Sequence, residues 1–232
     1  DQPRSRGLGD VYKRQGDDRV DYPAVRRGRQ VLFDRLFDRF VCHIPADFDC
    51  FCQSQADWLE DHALFCALSE RYGKRFFLWP SSLRQRESSA LERAAVQMER
   101  RVFFHKMLQY FLDHQWRALR AYANARGVYL IGDLPIYVAP CSADVWAAPE
   151  LFMLSPSCAP SRLAGCPPDA FSPTGQLWGN PVYNWSAHAR TEYRWWVARL
   201  RHALHWFDAL RLDHFRGFAA YYSVPARAKN AR

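Results

Sequence analysis

The stretch Ala209-Leu210-Arg211-Leu212-Asp213 is a short apolar run that ends in a charged pair, directly after an amphipathic segment. The same grammar occurs earlier in the chain. There a helical segment ends at Gly127, Val128-Tyr129-Leu130-Ile131 forms an apolar β-type run, and Gly132-Asp133-Leu134-Pro135 places an acid at its end. Helix, glycine, buried strand and terminal acid is the order of a parallel α/β unit. Two such units, each delivering an acid at the C-terminal end of a strand, imply part of a (β/α) barrel, a fold that places its chemistry at that end.

The segments around these units read mainly as helix. Val25, Leu32, Leu36 and Phe40 are spaced for one face of a helix over Tyr22 to Phe40, with Asp21 as N-cap. Ser54 to Tyr72 is a second helix, with Gly73 placed for a left-handed C-terminal residue. Leu91 to Asn124 reads as one long helix, and Thr191 to Phe207 as an amphipathic one with Trp196, Leu200, Leu204 and Phe207 on one face. Residues 149–185 are proline-rich and aperiodic, and read as a long structured loop of the kind that is usually functional. The organisation is therefore mainly helical over 16–127, then barrel strands over 128–232, with the nucleophile-type strand at 208–213. Residues 1–15 lack the pattern of the rest. Asp10-Val11-Tyr12-Lys13-Arg14-Gln15 resembles a translated sequencing adapter, so this stretch reads as a scar and is left out of the fold.

Composition narrows the function classes. The chain has 49% hydrophobic and 24% charged residues, and its 16% aromatic content is wrong for a disordered chain. The net charge of +8 permits a nucleic-acid partner. The basic residues are scattered beside acids, however, so they read as a solvated surface and no nucleic acid is expected. Apolar runs are too short or too interrupted to span a bilayer. The 7 cysteines, an odd number without a C-x-x-C pair, fit reduced thiols in a cytoplasmic protein better than a disulfide framework or zinc ribbon. His202 and His205 share a helix with Arg199 and Arg201, which reads as a polar face, so no metal is expected.

Arg211 and Asp213 are two apart on a strand and point to one side. A carboxylate beside a permanently charged guanidinium stays ionised, which suits a nucleophile and not a general acid. On spacing alone, an ordinary salt bridge capping the strand is the more frequent reading. The loop contributes Pro167-Pro168-Asp169-Ala170-Phe171-Ser172 and Gly175-Gln176-Leu177-Trp178-Gly179-Asn180-Pro181. Aromatic faces beside amides and carboxylates are what a sugar site needs, since rings cover pyranose C–H faces and polar groups bond the hydroxyls.

Three blocks together resemble the signature of amylomaltases, the bacterial 4-α-glucanotransferases. They are Ile131 to Val138 with Ser142 to Trp146, Pro167 to Pro181, and Arg211-Leu212-Asp213-His214-Phe215-Arg216-Gly217-Phe218. The resemblance implies a retaining transglycosylase on a (β/α)8 TIM barrel with helical insertions, acting on maltodextrin or another α-1,4-glucan without a cofactor. It implies Asp213 as the nucleophile and Arg211 as the residue that orients it. His214 would line the donor site, Asp133 would hold the site's architecture, and Asp169, Phe171, Gln176 and Trp178 would belong to the loop that closes over the glucan. Ala170 stands where the family usually has an aromatic residue, and Cys166 where it has a small aliphatic one. Retaining chemistry also needs a second carboxyl group. The resemblance places that Glu, and a further Asp, beyond Arg232, and the first barrel strands before Asp21. The barrel is thus expected to be incomplete at both ends, and the chain alone to be inactive and poorly soluble. An α-amylase-like hydrolase and a non-catalytic glucan-binding remnant are the competing functions, and oligomeric state is left open.

Overall fold

A computed structural model describes residues 19–231; the stretch read as a scar lies outside them. The chain divides after Gln53 into two compact units. In the first, α1 (Tyr22–Phe40) starts as expected, the Asp21 carboxylate accepting from the Ala24 N–H at 3.0 Å. Its buried residues are Phe37 and Phe40, whereas Leu32 of the predicted face is exposed. Phe40 meets Phe48 of α2 (Phe48–Ser54) edge to face at 5.1 Å.

The second unit is built on helices. α3 (Ala56–Tyr72) ends at Gly73, whose φ of 85° is positive but whose ψ of 164° is extended, so it is not the left-handed cap expected. After a short α4 (Ser81–Arg84), the single long helix predicted from Leu91 is in fact two, α5 (Ser88–Gln97) and α6 (Glu99–Asn124), broken at Met98 with φ −115° and ψ 15°. Neither Gly nor Pro marks that break, and the apolar period runs through it. α3 and α6 pack together and are tied by Arg101 to Glu70 and by Lys106 to Glu60.

The parallel unit follows. β1 (Ile131–Leu134) pairs in parallel with β4 (Ala209–Leu212), Asp133 opposite Arg211. β1 begins three residues later than the apolar run implied, and Tyr129 and Ile131 are each 71% exposed where a buried strand was expected. Between the two strands the chain forms α7 (Ala143–Ala147), β2 (Arg162–Cys166), β3 (Gln176–Pro181), α8 (Trp185–Arg190) and α9 (Arg194–Trp206). The stretch read as a loop thus carries an antiparallel pair, which β5 (Tyr222–Pro225) extends to a three-stranded sheet in the order β3-β2-β5. Its strands pair across distant positions, which a local period does not reveal.

An aromatic core holds these elements together. Trp146 and Tyr183 are fully buried, and Trp79 and Phe65 each lie 5.8 Å from the Trp146 ring. The parallel unit has a separate anchor in Asp208, just before β4. Its carboxylate accepts from the Leu130 N–H at 2.8 Å, from the Asn124 amide at 2.9 Å and from Arg120 Nε at 2.8 Å. The Asn124 amide, the Leu130 N–H and the Arg120 guanidinium hold this carboxyl below its usual range. One side chain thereby joins the end of α6 to the start of both strands. Asp208→Ala is expected to speed amide hydrogen exchange at Leu130 by at least about tenfold, because a charge-assisted bond is lost. Unchanged exchange there would show that the strands hold their own register.

Candidate active site

Strands β1 and β4 bring the acids and the arginine to one side of the sheet. Residues paired across a parallel sheet lie closer than residues two apart on one strand, about 4.8 Å against about 6.6 Å. Arg211 accordingly makes its fork with Asp133, Nε donating to Oδ1 at 3.0 Å and Nη2 to Oδ2 at 2.6 Å. Its nearest approach to Asp213 is 3.8 Å, an ion contact without a hydrogen bond. The pair read along one strand is thus a triad centred on Arg211, and its tighter half is the cross-strand one. All three side chains are more than half exposed.

The fork has an electrostatic consequence. The Arg211 guanidinium holds the Asp133 carboxyl below the usual aspartate range, and Asp133 in turn raises Arg211. The charged pair is therefore fully present above the usual aspartate value of about 3.9 and is lost as pH falls through the lower folded-state value. In a carboxyl-carbon NMR titration, Asp133 should titrate below about 3.9, and Arg211→Gln should move its midpoint upward. An unmoved midpoint would mean that the fork does not persist in solution.

The chain turns sharply after Asp213. His214 has a φ of 50°, and a short 3-10 turn, Phe215–Phe218, follows. A Cβ at Gly217 would stand 2.6 Å from Ile136 Cδ1 and 2.9 Å from His214 Cδ2, so a larger residue here would displace one or both side chains. The His214 ring meets Trp178 of β3 edge to face at 5.1 Å, and the Trp178 indole N–H donates to the Gln176 side chain at 3.0 Å. The structure thus brings His214, Trp178 and Gln176 together, and Trp178 keeps 38% of its surface open.

Asp169 and Phe171 sit apart from that group. The Asp169 carboxylate accepts from the N–H groups of Phe171 and Ser172 at 2.9 and 2.7 Å, so it shapes its own loop. Phe171 is 94% exposed and packs on none of the other named rings.

Two participants were not singled out in the sequence. Tyr137 is buried beneath Trp178 and His214, its ring centre 6.2 and 6.3 Å from theirs, and burial pushes its hydroxyl up to about 12. Arg199 of α9 donates to the carbonyls of Pro135 at 2.7 Å and Ile136 at 3.2 Å, fixing the turn after β1. Tyr137 lies inside a quoted block, directly after a strand end, and that position was its signal. Arg199 had none beyond its helix.

With this geometry in view, comparison with known proteins is informative. The sequence model of the 4-alpha-glucanotransferase family matches residues 5–232. The chain belongs to the 4-alpha-glucanotransferase family. A 4-alpha-glucanotransferase of Aquifex aeolicus is 49% identical over 205 residues, covering 88% of this chain and 42% of that relative. The amylomaltase of Streptococcus agalactiae, solved in complex with acarbose, superposes with a TM-score of 0.88 at 34% identity, over 96% of this chain and 46% of its own. The Corynebacterium glutamicum amylomaltase, at 22% identity and a TM-score of 0.68, shares the fold. The chain thus spans less than half the length of these family members. Among the described residues, no helix is long and apolar enough to cross a membrane.

Proposed function

We propose that the protein is a retaining 4-α-glucanotransferase that moves α-1,4-glucan segments between maltodextrins. The observation that carries this reading is the joining, in a chain of this family, of Asp213 at the end of a parallel strand with Arg211 and a half-open Trp178–His214 pair. Asp213 would attack the anomeric carbon of the donor, and the bond from that carbon to the leaving glucan oxygen would break as an acid protonates the oxygen. A hydroxyl of a second glucan would then displace Asp213, and its proton would return to the same acid/base. Arg211, held by its fork to Asp133, orients the nucleophile. His214 lines the donor sugar, Trp178 and Gln176 offer a ring face and an amide, and Asp169 presents Phe171 on the loop over the acceptor.

The reading assigns the acid/base Glu to the length of the family members that this chain does not span. It treats β1 and β4 as two strands of a (β/α)8 barrel. The exposure of Ile131 supports this, because a barrel strand buries both faces once its neighbours are present. The seven free thiols fit a cytoplasmic protein. The test is to give the full-length protein maltotriose. Transfer yields glucose together with maltopentaose and longer chains. Shorter products alone would support the hydrolase, and unchanged maltotriose the glucan-binding remnant.

A further inference from the structure

β1 ends at Leu134, and Pro135 has no N–H with which to continue the ladder. The last backbone bond between the two strand ends runs from the Asp213 N–H to the Leu134 carbonyl, at 3.1 Å. Beyond it, side chains take over. Arg199 donates to the carbonyls of Pro135 and Ile136, the Tyr183 hydroxyl donates to the same Ile136 carbonyl, and the Asn180 amide donates to the Val138 carbonyl at 2.9 Å. Ile136, Tyr137 and Val138 are buried, so a carbonyl here that lost its partner could not turn to water instead.

This short segment supports the strand end that carries Asp213. Leu134 holds the Asp213 backbone, and the Ile136 side chain fills the space beside Gly217 in the turn after β4. The Tyr137 ring lies beneath Trp178 and His214 and is stacked on Tyr183, with ring centres 6.0 Å apart. Arg199 is itself held firmly. Its guanidinium lies 5.3 and 5.0 Å from the ring centres of Trp195 and Trp196, and its hydrogen bonds go only to neutral oxygens. Asp144 of α7 attracts it at longer range. A guanidinium can fork across two successive carbonyls, whereas an ammonium is a point donor.

We infer that Arg199 is a positioning residue for glucan transfer. By holding the Pro135 and Ile136 carbonyls it fixes the peptide on which the Asp213 backbone rests, and so aims the Asp213 carboxylate. The inference rests on the function proposed above. The guanidinium is taken up by the turn and the indole rings, so it acts through them and not on the sugar.

The test uses the full-length protein. Arg199→Met is expected to lower kcat for maltotriose by about 10- to 100-fold per folded molecule, because a small misplacement of a reacting group is costly, while KM stays within about threefold. Arg199→Lys keeps the charge and one donor and should recover part of the loss. If Arg199→Met does not fold, Arg199→Lys carries the test, with kcat lower by at least about threefold. Tyr183→Phe removes the second donor to the Ile136 carbonyl, so its effect on kcat should differ between the unmodified protein and the Arg199 variant. Amide hydrogen exchange at Asp213 should be faster in that variant. An unchanged kcat, a rise in KM alone, fully independent effects of the two substitutions, or an unmoved Asp213 amide would overturn the inference. Absence of transfer by the unmodified protein would instead defeat the function proposed above, and exchange at Asp213 would still report on the positioning.

Discussion

Asp213→Asn in the full-length protein is expected to lower glucan transfer by about 10^4-fold or more, because an amide of the same size cannot form the covalent intermediate. The size of this loss separates the two readings of the Arg211–Asp213 pair. If Asp213 only capped β4, its exposed carboxylate, 3.8 Å from an arginine already forked to Asp133, would contribute little, and activity would stay within a few-fold. Product assays with maltotriose measure the loss, and circular dichroism should show an unchanged fold. A variant retaining a tenth of the activity would remove Asp213 from the chemistry.

The largest expected effect on stability lies elsewhere, at Trp146. Its side chain is fully buried, its indole N–H donates to the Leu83 carbonyl at 3.0 Å, and the Arg86 guanidinium sits 4.3 Å above its ring. Trp146→Ala removes a large ring from between Trp79 and Phe65 and leaves the Leu83 carbonyl without this donor. A loss of about 3–5 kcal/mol is expected, read as a lower midpoint of urea unfolding. Trp146→Phe keeps most of the packing and should cost less than half as much. Equal losses for the two variants would assign the stabilisation to the hydrogen bond and not to the ring.

How much of this was readable in the sequence depends on whether the determining contact is local. The start of α1 was legible because Asp21 caps its own helix. The strand Ala209–Leu212 was legible because a short, mainly apolar run with a charged end leaves few alternatives. The break at Met98 was not, since nothing in the side chains around it opposes a helix. The β2–β3–β5 sheet was missed for a related reason. Its partners are joined only by the fold, and the prolines between them read as loop.

At the site, the pairing of the charged residues was not legible. Arg211 and Asp213 are close in sequence, yet the tighter partner of Arg211 is Asp133, brought opposite it by a parallel register that only three dimensions supply. Tyr137 was hidden in the same way, as a strand-end tyrosine that becomes the floor under Trp178 and His214 only once β3 and the turn after β4 converge. The sequence also placed Asp169 and Phe171 with that group. In the structure Asp169 braces its own turn and Phe171 stands exposed, apart from that group.

The most direct test of the central claim is to locate the covalent intermediate. The full-length protein would be incubated with a fluorinated glucosyl donor that forms the intermediate but releases it slowly, digested, and mapped by mass spectrometry. The account predicts one glucosyl adduct per chain, carried on Asp213. An adduct on another residue, or none while transfer proceeds, would contradict it.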